Sequence, residues 1–137
     1  MTDRARWQSL IENAVALGAS DLHLSVGSPA FFRLDGRLCR GTEDIVTAAF
    51  IDSLVEAMFS ERQREAFHRK QEIDVAWDFG RQRFRVHVFR QLGGLALSLR
   101  LIPPTIPSFA DLGCPPVFQA LVKRRHGLIL VTGRTGS

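Results

Sequence analysis

A change of hydrophobic period at Ile73 constrains the fold of this chain more than any other feature. From Ile73 to Leu101, apolar residues recur at every second position through three runs, which are separated by Gly80-Arg81 and Gly93-Gly94. Such alternation is typical of strands with one buried face, and two-residue turns join antiparallel neighbours. The stretch therefore predicts a three-stranded antiparallel meander that buries one of its faces.

Two-residue turns at these glycines also set the register of the meander. A slip of one residue would turn each apolar face towards solvent, so the pattern tests the register. In the first hairpin, the register places Ile73, Val75, Trp77 and Phe79 opposite Val88, Val86, Phe84 and Gln82, in that order. In the second hairpin, it places Val86 opposite Leu101 and Val88 opposite Leu99. Apolar side chains face each other throughout, apart from the end at Gln82.

The same register sorts the polar face of the meander. It places Asp78 opposite Arg83 and Asp74 opposite His87. Cross-strand pairs of opposite charge are ordinary stabilising contacts. These four residues therefore have a structural explanation.

Two arginines of the polar face have no such explanation. Arg85 is predicted opposite Ala76 and Arg100 opposite His87, which makes the two arginines diagonal neighbours on one face. Like charges placed in this way repel unless a negative group lies between them. Either Asp74 offsets the repulsion and the pair is structural, or the two arginines form a clamp for phosphate or for a partner's carboxylate.

Helical and strand signals before the meander predict an α+β domain. In chain order they indicate a first helix from Thr2-Asp3 to Gly18, followed by strands at 21–25, 30–34 and 37–40. A second helix has an apolar stripe that ends at Phe59. A polar third helix begins with a capping box of Ser60 and Gln63 and ends at Lys70. With the meander, these elements give an antiparallel sheet with flanking helices.

The last part of the chain differs in composition. Residues 102–115 contain several prolines and predict a stiff linker. Pro116 then begins a short amphipathic helix, and Leu128 to Thr132 are predicted to form a strand. The residues from Gly133 to Ser137 supply the first glycine and the four spacer residues of a P-loop, without its lysine. From these residues alone, a flexible turn is the alternative.

Composition limits the class of protein. The 137 residues allow one compact domain with an added terminal segment, and they contain no apolar run of about twenty residues. The two cysteines and four histidines are scattered, so neither a disulfide framework nor a zinc site is predicted. The net charge of +4 is carried almost wholly by arginine, which favours phosphate or carboxylate partners. We expect a cytoplasmic protein with reduced thiols.

Four stretches of the chain form a recognisable combination. They are "GASDLHLSVGSPAFFRLDGRL", "RFRVHVFRQ", "LRLIP" and "LILVTGRTGS". Together they resemble the secretion and pilus motor ATPases, in particular the PilT-type pilus retraction ATPases. The resemblance implies a PAS-like α+β domain at 1–101, a linker at 102–115, and the first helix and strand of a RecA-like core, truncated in its P-loop, at 116–137. It also implies that six chains form a ring that drives pilus disassembly.

The resemblance further implies a set of site residues. Arg85 and Arg100 match family arginines that reach nucleotide phosphates at domain or subunit boundaries, and Arg83 is a third candidate. The residues that match the start of the family's P-loop are Gly133, Thr135, Gly136 and Ser137. Arg134 occupies a position at which the family commonly has proline.

Cofactors and partners are implied in the same way. ATP and Mg²⁺ are expected in the full-length protein, and no tightly bound cofactor is expected in this chain. The implied partners are the neighbouring subunits of a homo-hexamer and an inner-membrane pilus or secretion platform protein, with no nucleic acid. The implied location is cytoplasmic and peripheral to the inner membrane. We expect the 137 residues to be a fragment of the motor that has no ATPase activity of its own.

Three alternatives to a retraction motor stay open. The parent protein can be an assembly or secretion ATPase with the same motifs, or the domain can be a non-enzymatic PAS-like module that binds a ligand or partner. The third is nucleic-acid binding by the basic stretch "RQRFRVHVFR", which predicts a strongly salt-dependent affinity. The apolar half of that stretch is better used in the core, which disfavours this last reading.

Overall fold

The computed structural model describes residues 2–133, which contain six strands and four helices. In chain order the elements are α1 Asp3–Ala16, β1 Asp21–Ser25, β2 Pro29–Leu34, β3 Arg37–Ile45, α2 Ala48–Met58, α3 Glu61–Lys70, β4 Glu72–Phe79, β5 Gln82–Gln91, β6 Gly94–Ile102 and α4 Val117–Val122. None of these described helices is both long enough and apolar enough to cross a membrane. The predicted α+β class, with an antiparallel sheet and flanking helices, is confirmed.

The six strands form one sheet in the order β3-β2-β1-β6-β5-β4, and every neighbouring pair is antiparallel. The sheet therefore consists of two meanders, β1-β2-β3 and β4-β5-β6. Their junction is the pairing of β1 with β6 at the centre of the sheet. This junction brings the front of the chain next to the end of the second meander.

One face of the sheet packs against α1 and α2. Trp7 and Ile11 of α1 and Ile51 and Leu54 of α2 are buried against it. The buried sheet residues that meet them alternate along the central strands, and they are Leu22, Leu24, Phe84, Val86, Val88, Leu97 and Leu99. The face that the period-two pattern marks as apolar is thus the core face.

Capping groups explain where the helices begin and end. The side chain of Thr2 accepts a hydrogen bond from the Ala5 backbone N–H at the start of α1. Gly18, with φ of +67°, follows its end. Ser60 and Gln63 form the predicted capping box of α3, which satisfies backbone donors at the first turn of that helix.

The register of the first hairpin of the second meander is confirmed. Ile73 lies opposite Val88 and Val75 opposite Val86, as the two-residue turn predicts. The apolar residues of β4 and β5 consequently point to the same side of the sheet.

The register of the second hairpin differs from the prediction by two residues. Gln91 pairs with Gly94, so the turn consists of Leu92-Gly93 and not of Gly93-Gly94. Gly94 has φ of +129°, a conformation that glycine adopts without the penalty that a side chain brings.

The partners of β5 on β6 move accordingly. Val86 faces Leu99 and Val88 faces Leu97, whereas Leu101 and Leu99 were predicted. A shift of two residues leaves every side chain on its own face of the sheet, so the apolar pattern does not detect it.

The predicted strand at Leu128 to Thr132 is wrong. In the described part of the chain, residues 123–133 contain no helix or strand, and the apolar side chains of Leu128, Leu130 and Val131 are exposed. A strand needs a neighbour for its backbone hydrogen bonds, and no strand within residues 2–133 pairs with this segment. The predicted helix after Pro116 is present as α4, with no buried residue.

Candidate functional site

The sheet face turned away from α1 and α2, which we call the open face, is polar. Side chains on this face alternate with the core residues along each strand. At the centre of the sheet they are Asp21 and His23 on β1, Ser98 and Arg100 on β6, Arg85 and His87 on β5, and Asp74 on β4. The open face thus collects most of the charged candidates that the sequence suggests.

Arg85 and Arg100, which we call the arginine pair, lie directly opposite each other on β5 and β6. The prediction that Arg100 lies opposite His87 is wrong because of the two-residue shift, and His87 faces Ser98. The two arginines are therefore closer neighbours than predicted. Like charges at directly opposed positions repel, so the pair favours a negative group between its members.

An aspartate holds each arginine of the pair at its Nε atom. Arg85 Nε donates to Asp74 Oδ1 at 3.3 Å, and Arg100 Nε donates to Asp21 Oδ1 at 3.0 Å. Among residues 2–133, the terminal guanidinium nitrogens of these two arginines make no hydrogen bond to a protein acceptor. A guanidinium group carries five N–H donors, so the outer donors remain available to an anion.

The arginine pair borders a surface depression of about 360 Å³. The depression is lined by Asp74, Arg85, His87, Ser98 and Arg100. Two guanidinium groups, an imidazole and a hydroxyl suit a phosphate-sized anion with several acceptor oxygens, and the negative charge of Asp74 is offset by its ion pair with Arg85. Arg83, the third candidate, lies outside this lining, and its Nε is 3.6 Å from Asp78 Oδ1.

Asp21 is the one charged residue that is buried among residues 2–133, with 3% of its surface exposed. It accepts a hydrogen bond from the Ser20 hydroxyl at 2.8 Å, and its carboxylate also lies 3.5 Å from Arg33 Nε. Burial acts to raise the pKa of Asp21, but the hydrogen bonds from Ser20 and Arg100 and the charge of Arg100 outweigh it and lower the pKa. The carboxylate is therefore ionised at neutral pH.

His23 lies on β1 beside Asp21 in the next row of the open face. Its Nδ1 is 3.3 Å from the Ser98 hydroxyl, and its Nε2 is buried without a hydrogen-bond partner among the described residues. Burial lowers the pKa of His23, the charges of Arg33 and Arg100 add to this effect, and Asp21 opposes it. His23 is consequently neutral at pH 7 and adds no positive charge to the site.

His87 lies opposite Asp74 and two residues from Arg85 along β5. Its Nδ1 is 3.4 Å from Asp74 Oδ2, but the geometry is not that of a hydrogen bond. The ring stacks on Phe89 with centroids 5.2 Å apart. Stacking, and not a hydrogen bond, therefore fixes the imidazole at the edge of the depression.

Of the predicted P-loop residues, only Gly133 is described by the structure. It is exposed, lies in an irregular segment and does not line the depression. Thr135, Gly136 and Ser137 lie outside the described residues. Within residues 2–133, no three His, Cys, Asp or Glu side chains are grouped so as to hold a metal ion. The candidate site is thus the arginine pair with its neighbours.

Sequence reasoning missed the contact between Asp21 and Arg100. The two residues are 79 positions apart and become neighbours only because β1 pairs with β6. The one signal in the sequence is that Asp21 falls on the polar face of its strand. No local pattern indicates which strand will pair with it.

Comparisons with known proteins agree on one group of motor ATPases. No family model matches the chain. The chain is similar to the type IV pilus retraction ATPase PilT of Pseudomonas aeruginosa, with 36% identity over 121 residues that cover 88% of this chain and 35% of that protein. It is also similar to a twitching motility protein of Neisseria gonorrhoeae, with 31% identity over 106 residues that cover 77% of this chain and 28% of the other.

One solved structure is similar to this chain in both fold and sequence. The crystal structure of the pilus retraction motor PilT with bound ADP superposes with a TM-score of 0.73 and 37% identity, over 93% of this chain and 38% of that one. The present chain therefore spans about a third of the length of the proteins that it matches.

Proposed function

We propose that this chain, which is homologous to the N-terminal region of the PilT-type pilus retraction ATPases, is the N-terminal domain of a pilus motor ATPase and contributes Arg85 and Arg100 to the phosphates of ATP. The observation that carries the proposal is the arginine pair. Arg85 and Arg100 are directly opposite in the register of β5 and β6, each guanidinium group is held at Nε by an aspartate, and their terminal nitrogens have no protein acceptor within residues 2–133.

The charge distribution of the pair supports this role. Asp21 and Asp74 engage the inner nitrogens and leave the mutual repulsion of the outer ones partly uncompensated. The oxygens of a phosphate group between the outer nitrogens offset that repulsion and accept several charge-assisted hydrogen bonds. When a phosphoryl group is transferred, an arginine in this position stabilises the negative charge that develops on its oxygens, an effect of about a thousandfold or more in other nucleotide hydrolases.

The remaining parts of the proposal concern the full-length protein. It is a cytoplasmic homo-hexamer in which this PAS-like domain packs against a neighbouring RecA-like core. The linker that follows β6 lets the domain move as a rigid body with nucleotide state. Its P-loop begins with Gly133, Thr135, Gly136 and Ser137 and binds ATP with Mg²⁺. An inner-membrane platform protein is the proposed partner. The 137-residue chain alone is proposed to hydrolyse no ATP.

A role in retraction is favoured over assembly or secretion by two relatives. One is named a pilus retraction ATPase and the other a twitching motility protein. The arginine pair does not separate these roles, because each of them needs ATP hydrolysis. A loss of twitching in a strain that lacks the gene, with pili still assembled, is the expected phenotype of a retraction motor.

The test is steady-state ATP hydrolysis by a full-length ATPase that carries this sequence. We expect Arg85→Ala and Arg100→Ala each to lower kcat by about a hundredfold, because each removes a group that stabilises transition-state charge. Ring assembly and nucleotide binding are checked in each variant. Arg83→Ala is the matched control, since Arg83 lies on the same strand and face but outside the depression, and its kcat should stay within about twofold.

Unchanged turnover in both Arg85→Ala and Arg100→Ala would defeat the proposal. The arginine pair would then serve a partner or the fold, and the domain would be a non-enzymatic binding module. ATP turnover by the purified 137-residue chain would separately contradict the statement that it is inactive alone.

A further inference from the structure

Asp21 is a buried carboxylate on a sheet face that is otherwise largely open to solvent. Its side chain is 4% exposed, compared with 51% for Asp74, the aspartate that holds the other arginine of the pair. Removing a carboxylate from water is unfavourable unless hydrogen bonds and opposite charges compensate. Buried ion pairs often add no more stability than apolar side chains of similar size, so stability alone does not explain a carboxylate at this position.

The two oxygens of Asp21 have different partners. Oδ2 accepts from the Ser20 hydroxyl at 2.8 Å and lies 3.5 Å from Arg33 Nε. Oδ1 accepts from Arg100 Nε at 3.0 Å. Ser20 and Arg33 thus fix the carboxylate from one side, and the other oxygen is left to Arg100.

The bond at Nε restricts Arg100 without using its outer donors. The Arg100 side chain is 56% exposed, and an unanchored arginine at such a position samples many rotamers. Fixing those rotamers when a ligand binds lowers the affinity, unless they are already restricted in the free protein. A hydrogen bond from Nε to a buried, immobile acceptor supplies that restriction on folding.

We infer that Asp21 is a positioning residue that holds the terminal nitrogens of Arg100 in place for a phosphate group. The inference rests on the proposed function and deepens it, because it names the residue that sets the geometry of one arginine of the pair. Asp74 is not equivalent, because its half-exposed carboxylate is free to move with Arg85.

Positioning and simple charge neutralisation predict opposite results. If Asp21 only reduces the positive potential of Arg100, then Asp21→Asn increases that potential and strengthens phosphate contact. If Asp21 positions Arg100, the same substitution loosens the guanidinium group and slows turnover. The sign of the change in kcat therefore separates the two roles.

The experiment measures kcat and KM for ATP in the full-length ATPase. We expect Asp21→Asn to lower kcat by about tenfold and to change KM much less. A tenfold change in rate corresponds to about 1.4 kcal/mol, which is close to the contribution of one charge-assisted hydrogen bond. Because Asp21 acts through Arg100, we expect Asp21→Asn to cause no further loss in an Arg100→Ala background. Asp78→Asn is the matched control, since it removes the exposed pair with Arg83, and it should leave kcat within about twofold.

An unchanged or raised kcat in Asp21→Asn would overturn the inference, as would an equal loss in both backgrounds. These results leave the proposed function intact as long as Arg100→Ala itself lowers kcat. If Arg100→Ala has no effect, both the proposed function and the inference fail.

A measurement on the unsubstituted chain covers the case in which Asp21→Asn does not fold. NMR relaxation of the arginine Nε–Hε groups reports how rigidly each one is held. We expect Arg100 to be more ordered than Arg83, whose Nε lies 3.6 Å from an exposed aspartate. Equal mobility of Arg100 and Arg83 would overturn the inference.

Discussion

At the scale of single residues, the arginines of the open face look alike in sequence but differ in their surroundings. Arg83 and Arg85 each pair with an exposed aspartate of β4, and exposed pairs of this kind contribute about 0–1 kcal/mol to stability. Arg100 pairs with the buried Asp21. The difference follows from position in the sheet, because β4 is an edge strand and β1 is central.

His23 gives a prediction on pH dependence. Burial lowers its pKa from the ordinary value of 6.5, so the folded state binds this proton less readily than the unfolded state does. Above pH 6.5, where His23 is neutral in both states, this group therefore does not reduce the free energy of unfolding. Below pH 6.5 the free energy of unfolding decreases as the pH falls, by at most about 1.4 kcal/mol per pH unit for one proton. We expect urea denaturation to give a lower free energy of unfolding at pH 5.5 than at pH 7.5, and a smaller difference in His23→Asn.

The control for this prediction is His126→Asn, at an exposed position after α4. It should keep the pH difference of the unsubstituted chain. The window also avoids Asp21, whose pKa is lowered from 3.8, so that its stabilising effect is lost only at more acidic pH. The same pH difference in His23→Asn as in the unsubstituted chain would show that another group is responsible.

The sequence predicts that Arg85 and Arg100 share one face of the sheet, but it does not predict the contact of Asp21 with Arg100. Period-two alternation assigns Arg85 and Arg100 to one face whichever of two registers applies. Asp21 joins them only through the pairing of β1 with β6, which no turn sequence specifies. The buried carboxylate is thus a property of the assembled sheet and not of any local segment.

At the scale of the elements, the turn between β5 and β6 sets which arginine faces which residue. Gly94 has φ of +129°, and a Cβ at this position would lie 3.0 Å from the Cβ of Val26. Both features oppose any side chain at Gly94. We expect Gly94→Ala to lower the free energy of unfolding by about 1–3 kcal/mol in urea denaturation.

Gly93 is the matched control for this turn. A Cβ there would lie 3.9 Å from the backbone oxygen of Val26, which is ordinary contact, and its φ is not positive. We expect Gly93→Ala to change stability by no more than about 0.5 kcal/mol. Equal losses in the two variants would argue against a turn at Leu92-Gly93 and against the direct opposition of Arg85 and Arg100 that depends on it.

The two glycines also explain why the sequence gives the wrong register for this hairpin. Adjacent glycines are a strong turn signal, and both fit the central positions of a two-residue turn. The structure uses Gly94 as the first residue of β6, beside Val26, and exposes Leu92 in the turn. The packing of Val26 comes from a different part of the chain, so it leaves no trace in the local pattern.

At the scale of the whole molecule, the sequence predicts the sheet domain well and the end of the chain less well. Each meander contains its own turns and alternation, and the helices carry caps, so local signals agree with the final fold. Residues 128–131 are apolar and, with Thr132, resemble a strand, but a strand forms only where a neighbour accepts its hydrogen bonds. Within the described residues this neighbour is absent, and the apolar side chains are exposed.

The distribution of buried residues gives a prediction on the proposed linker at 102–115, whose first residue, Ile102, is the last residue of β6. Every buried apolar residue among 2–133 lies between Trp7 and Leu99, and α4 contributes none. Gln82 donates to the Ile102 backbone oxygen at 2.6 Å, so the sheet domain includes Ile102.

We therefore expect a chain of residues 1–105 to unfold cooperatively in urea, with a free energy of unfolding within about 0.5 kcal/mol of that of the 137-residue chain. A chain of residues 17–137 lacks the buried side chains of α1 and should show no cooperative transition. A loss of more than about 2 kcal/mol in 1–105 would instead place α4 and the linker within the folded unit.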